Sequence, residues 1–74
     1  LNNKLTLTMA RHFAERVQKL AAEDTGRVQE AFRLAIGREA TAKEAELLSK
    51  HVKEFGLPSA CRAILNLNEF AFVD

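Results

Sequence analysis

The chain has 74 residues, 47% of them hydrophobic, with 11 Lys and Arg against 10 Asp and Glu, and with five Phe but no Trp or Tyr. This apolar content is ordinary for a globular protein and argues against disorder, and the length suits one small domain. The interspersed charges argue against the one-sided basic surface of a nucleic-acid binder, and the apolar runs are too short for membrane insertion.

Hydrophobic periodicity predicts four α-helices and no strand, because apolar residues recur at steps of three and four. The core residues predicted for the first helix are Leu5, Met9, Phe13, Val17 and Leu20. The second helix is expected to begin with either Asp24 or Thr25 as its N-cap. Its predicted core residues are Val28, Ala31, Phe32 and Ala35. Gly37 is expected to end this helix in a left-handed conformation, which glycine adopts without a steric penalty.

A capping box predicts the start of the third helix, because the Thr41 hydroxyl can accept from the Glu44 amide while the Glu44 carboxylate accepts from the Thr41 amide. The residues expected to face the core from this helix are Ala45, Leu48, Val52 and Phe55. Gly56 is expected to end it, and Pro58 suits the first turn of the next helix.

The fourth helix, at about residues 58–71, is apolar on most of its circumference. Such a helix belongs in the middle of a bundle or at a further interface. We therefore predict an all-α fold, a small four-helix bundle-like domain with an apolar central C-terminal helix. A single domain is expected to cover residues 1–74.

Two asparagines and a glutamate interrupt the apolar fourth helix, and buried polar groups must find hydrogen-bond partners. We expect at least one asparagine to bond the loop at residues 37–41. We also expect the glutamate, Glu69, to pair with Arg38 or Arg33. The predicted structural latch comprises Arg38, Thr41, Glu44, Asn66, Asn68 and Glu69.

The sequence contains no motif for catalysis or for cofactor binding. His12 and His51 lie on different predicted helices, without cysteines or carboxylates at metal-ligand spacing. Cys61 is the only cysteine, so it forms no internal disulfide, and its apolar neighbours favour a buried, unreactive thiol. We predict no catalytic residue, no cofactor and no metal ligand in this segment.

Two segments resemble a known family. The run AFRLAIGR at 31–38, followed by Thr41-x-x-Glu44, and the run CRAILNLNEFAFVD at 61–74 are similar to the C-terminal end of the domain of unknown function in planctomycete-type, cytochrome-c-associated large proteins. That family has an AFRLALGR-x-PT-x-EE element and ends in LLNLNEF-x-[YF]-VD. Here Glu39-Ala40 stands where the family prefers a proline. A looser likeness links the GR turn and the N-x-EF helix to phycobilisome-linker-like modules.

The resemblance implies a C-terminal fragment of a large exported multidomain protein, in the periplasm or outside the cell, and a first residue other than Met agrees with this expectation. The family has no established catalytic residues to transfer. We expect a non-catalytic structural or docking module. Its partners would be the parent's other domains, or a second copy in a homo-oligomer. The contact surface would be either the exposed side of the fourth helix or the tail with Phe70 and Phe72, because Phe70, Phe72 and Val73 cannot all face so small a core.

Two alternative functions stay open from the sequence. The chain could be the helical cap of an enzyme or redox protein, polysaccharide-related or haem-linked, whose active site lies upstream and shares Arg62, Glu69 or His51. It could also be a helix-turn-helix nucleic-acid binder, because a short turn joins the second and third helices. Three glutamates among the lysines of the third helix argue against this second alternative, since they would repel phosphate.

Overall fold

The described residues form four α-helices: α1 (Lys4–Leu20), α2 (Asp24–Ala35), α3 (Ala42–Phe55) and α4 (Leu57–Ala71). The computed structural model describes residues 4–71, and the side chains of residues 4–67. The described residues contain no strand, which confirms the all-α prediction. The Cα radius of gyration is 11.2 Å, close to that of a compact chain of this length.

The C-terminal helix α4 is the centre of the bundle, as its apolar circumference predicts. It packs against each of the other three helices, whereas α1 and α3 do not contact each other within the described part of the chain. Ala60, Cys61 and Ile64 of α4 are fully buried. This helix therefore holds the outer helices together.

The core is assembled around Phe32, the largest fully buried side chain. The buried residues that form one contiguous cluster are Val17, Val28, Ala31, Phe32, Ala40, Ala45, Val52, Ala60 and Ile64. All four core residues predicted for α2 are confirmed, three of them fully buried and Ala35 packed against the cluster. The core prediction is therefore most accurate for α2, the helix that provides Phe32.

The face that α1 buries agrees with the predicted one only in part, since Val17 is buried and Phe13 packs against the core cluster. Leu5, Met9 and Leu20 are exposed, whereas Ala10 and Ala14 are almost fully buried beside Val17. Alanines let two helix backbones approach closely. The side of α1 that carries Ala10 and Ala14 therefore faces the core, and Leu5, Met9 and Leu20 face outward. A periodicity read from large apolar residues alone could not distinguish these two faces.

Two further expectations at helix ends are wrong. The N-cap of α2 is Glu23 rather than Asp24 or Thr25, and its side chain makes no capping hydrogen bond. The turn before α2 is held instead by the Arg27 side chain, whose Nε donates to the Ala21 carbonyl at 2.9 Å. Phe55 is exposed rather than buried, because it is the last residue of α3 and lies beyond the core.

Gly37 and Gly56 confirm their predicted roles at helix ends, with φ values of 88° and 94°. The Gly37 amide donates to the carbonyls of Phe32 and Arg33, which closes α2. Gly56 alone separates α3 from α4, and its amide donates to the Val52 carbonyl at 2.8 Å. Positive φ is what allows such abrupt endings, and it is readily available only to glycine.

Candidate interaction surface

The predicted capping box at the start of α3 is confirmed. The Glu44 amide donates to Thr41 Oγ1 at 3.2 Å, and the Thr41 amide donates to Glu44 Oε1 at 2.8 Å. The same carboxylate accepts from both terminal nitrogens of Arg38, at 2.9 and 3.1 Å. Glu44 therefore joins the loop before α3 to the first turn of that helix through two kinds of contact.

The capping hydrogen bond and the ion pair with Arg38 both favour the ionised form of Glu44. The Arg38 guanidinium, followed by the Thr41 amide, lowers the pKa of Glu44 to about 2. A hydrogen bond from Arg33 likewise lowers the pKa of Glu30. Glu44 thus stays ionised well into the acid range in the folded chain.

We expect acid to destabilise the fold through Glu44. Because its pKa is lower in the folded than in the unfolded chain, its contribution is complete above the usual glutamate pKa of 4.5 and disappears as the pH falls toward about 2. Thermal melting by circular dichroism should show Tm decreasing over this range. Glu44→Gln, which can still cap the helix, should lower Tm at pH 7 and flatten this acid decrease. An unchanged acid decrease in this variant would contradict the assignment.

The loop before α3 also contacts the core directly. The Arg38 Cζ atom lies 5.4 Å from the centre of the Phe32 ring, within the range of a cation–π contact. Because Phe32 is fully buried, the guanidinium covers its solvent side. Arg38 therefore connects the capping carboxylate with the largest core side chain.

A glutamine that the sequence analysis missed holds the middle of this loop. Gln29 Oε1 accepts from the Ala40 amide at 2.7 Å, and Gln29 Nε2 donates to the Ala40 carbonyl at 3.1 Å. One side chain thus satisfies both backbone groups of a buried loop residue. The pairing spans eleven positions and has no local motif, although a glutamine beside a core position of α2 is the residue type it requires.

The structure brings together three of the six predicted latch residues, Arg38, Thr41 and Glu44. Asn66 is partly buried on α4. Asn68 and Glu69 lie in α4 beyond the described side chains, so their contacts stay predictions.

The arginines proposed as partners of Glu69 both have partners closer in sequence. Arg33 pairs with Glu30 at 2.6 Å, and Arg38 pairs with Glu44 at 2.9 Å. Of the predicted interface residues, Phe70 lies in α4 beyond the described side chains, and Phe72 and Val73 lie outside the described residues.

A histidine bridges α3 and α4. His51 Nε2 and Ser59 Oγ are 2.8 Å apart, and the His51 ring packs at 4.8 Å against the ring of Phe55. The bond joins the last turns of α3 to the first turn of α4 across Gly56. These contacts give His51 a structural role, since its side chain links the end of α3 to the start of α4.

Cys61 is buried, as predicted, and burial raises the pKa of its thiol to about 11. Little thiolate, the nucleophilic form, exists at neutral pH. No group of three or more His, Cys, Asp or Glu among the described residues is arranged to hold a metal ion. Within the same residues, no helix has the length and hydrophobicity needed to cross a membrane.

An open groove of about 530 Å³ lies between α2 and α3. Its lining residues are Thr25, Gln29, Ala42, Ala45, Glu46, Ser49, Lys50 and Lys53. The hydroxyl of Ser49 is buried and has no hydrogen-bond partner in the described part of the chain. The groove is open to solvent, and both of its lysines, Lys50 and Lys53, are exposed.

Among the described residues, large apolar side chains are exposed at several places, and two of these surfaces lie on α1 and on α3. The first, which we call the α1 outer face, comprises Leu5, Met9 and Leu20. The second lies on α3, where Leu47 is 57% exposed. Within the residues that the structure describes, α1 and α3 do not contact each other, so the two surfaces are separate.

Comparison of this chain with protein-family models, with curated protein sequences and with solved structures finds no match.

Proposed function

We propose that this chain is a non-catalytic helical module that docks against other domains of a longer, exported protein. The observation that carries the proposal is the α1 outer face, on which Leu5 is 68% and Met9 52% exposed while two alanines of the same helix enter the core. Contiguous exposed apolar surface marks interaction sites on small domains. A parent with further domains and a location outside the cytoplasm is what the family resemblance of residues 31–38 and 61–74 implies.

The surroundings of this face suit an intramolecular or subunit contact. His12 and Arg16 fall on the same side of α1, between Met9 and Leu20, so polar residues border the Leu5 and Met9 pair at its C-terminal end. An apolar centre with a polar rim is the usual anatomy of a protein interface. Leu67 of α4, the helix against which α1 packs, is also 43% exposed. We infer an apolar partner surface with acidic residues at its margin.

Burial of the potential nucleophile supports a non-catalytic role. Cys61 is fully buried and its pKa is raised, so the thiol is poorly placed to attack a substrate. His51 is engaged with Ser59 at a helix junction. These contacts assign both residues to packing, and they leave the α1 outer face as the best-supported site of function.

The double substitution Leu5→Ser with Met9→Ser tests the docking proposal. Because both side chains are exposed, each change should alter the free energy of unfolding by no more than about 0.5 kcal/mol. Binding to the separately produced remainder of the proposed parent should weaken at least about tenfold, since each anchor contributes about 1 kcal/mol or more. Isothermal titration calorimetry measures the affinity, and chemical denaturation measures the stability.

Leu7→Ser is the matched control, because Leu7 is exposed on a different side of α1. It should leave the affinity unchanged. Absence of binding by the unsubstituted chain, or equal affinity for the double variant, would contradict docking through this face.

A further inference from the structure

We propose that the exposed side of α3 pairs in antiparallel orientation with the same side of a second copy of this chain. In this dimer, Leu47 lies at the centre. Lys43 of each copy faces Glu54 of the other. We call the surface formed by Lys43, Leu47, Lys50 and Glu54 the α3 outer face.

The positions of these residues define one continuous surface. Lys43 and Glu54 are both exposed and eleven residues apart. Eleven residues are three helical turns, so the two side chains point in directions that agree within about 20° and lie about 16.5 Å apart along the axis. Leu47 lies between them and is 57% exposed. A positive end, an apolar middle and a negative end therefore follow one another along α3.

The two end charges are available for a partner. The described ion pairs of the chain join Arg33 to Glu30, Arg38 to Glu44 and Lys50 to Glu46. Neither Lys43 nor Glu54 makes an ion pair with another described residue. The face thus presents one unpaired charge of each sign at opposite ends.

Symmetry selects the second copy as the occupant. A two-fold axis perpendicular to α3, midway between positions 48 and 49, places Lys43 opposite Glu54 of the other copy, and the reverse. The same axis sets the two Leu47 side chains about 4.5 Å apart along the helix direction. The aliphatic stem of Lys50 then covers Leu47 of the second copy. A single two-fold axis therefore pairs Lys43 with Glu54 at both ends and buries Leu47.

The charge pattern also determines the orientation. In a parallel pair related by two-fold symmetry, Lys43 would face Lys43 and Glu54 would face Glu54, which is repulsive at both ends. The antiparallel pair replaces both repulsions with attractions. Because α1 does not contact α3, this contact leaves the α1 outer face free, and the dimer is independent of the proposed docking function.

Charge exchange at the two ends tests the dimer. Sedimentation equilibrium of the full chain, over a concentration series at low ionic strength, should show reversible dimers. Lys43→Glu alone and Glu54→Lys alone should each raise the dimer dissociation constant about tenfold, because both attractive pairs become repulsive. An equimolar mixture of the two variants should regain the association of the unsubstituted chain, since each new glutamate then meets a new lysine.

The single variants are expected to fold. Lys43→Glu places a negative charge in the first turn of α3, and Glu54→Lys places a positive charge in the last turn, and both changes favour the helix dipole. Circular dichroism checks that the helices are retained. Loss of dimer in these variants therefore reports the interface rather than unfolding.

Two variants on α1 make the same charge changes away from the interface. Arg11→Glu and Glu15→Lys are both at exposed positions, and neither should alter the dissociation constant. A chain that stays monomeric throughout the series would overturn the proposal. Single α3 variants that associate as the unsubstituted chain does, or a mixture that associates no better than its components, would overturn it as well.

Discussion

Replacing Phe32 with alanine is expected to lower the free energy of unfolding by about 3–5 kcal/mol. Phe32 is the largest fully buried side chain, and its removal leaves a cavity in the cluster that joins all four helices. A domain of this size has a total stability of roughly 4–11 kcal/mol. The substitution should therefore remove at least about a quarter of the stability, and all of it if the total lies at the lower end of this range.

The fold contains a matched control of the same residue type. Phe55 is 62% exposed at the end of α3 and packs only against the His51 ring among the described aromatic contacts, so Phe55→Ala should lower the free energy of unfolding by about 0.5–1.5 kcal/mol. Urea denaturation followed by circular dichroism compares the two variants under identical conditions. Equal losses at both positions would contradict the assignment of Phe32 as the core residue and Phe55 as a surface one.

Gln29→Leu is expected to lower the free energy of unfolding by about 1–3 kcal/mol. The leucine keeps the approximate size of the side chain but leaves the amide and carbonyl of Ala40 without their partner. Ala40 is 7% exposed, so water can replace these two hydrogen bonds only if the loop opens. The loss should therefore appear first as local opening between α2 and α3.

Amide hydrogen exchange measured by NMR locates this effect. The Ala40 amide should be protected in the unsubstituted chain and should exchange faster in Gln29→Leu, because its acceptor is Gln29 Oε1. Gln18→Leu changes an exposed glutamine of α1 and should leave both stability and Ala40 exchange unaltered. If Ala40 exchanged equally fast with and without Gln29, the glutamine would not hold the loop.

Features that depend on neighbouring residues could be predicted from the sequence. The start of α3 depends on Thr41 and Glu44, and the ends of α2 and α3 depend on single glycines, so the relevant chemistry lies within a few positions. The central position of α4 follows from its composition alone. These elements required no knowledge of which helices meet.

Features that depend on tertiary contacts could not be predicted in the same way. The face buried by α1 includes Ala10 and Ala14 and depends on how α1 packs against α2 and α4, which large-residue periodicity does not register. The bond between Gln29 and Ala40 joins α2 to a loop eleven positions away.

The junction between α3 and α4 has a consequence for how the chain tolerates insertions. A single residue, Gly56, separates the two helices, so there is no slack to absorb an added residue. One extra position at this corner would advance every α4 side chain by about 100° around its axis and would carry Ile64 away from the core. Insertions should be accommodated instead in the turn at residues 21–23. The connection at Gly56 therefore determines which side of α4 faces the core. Because the other three helices pack against α4, it also determines where they lie.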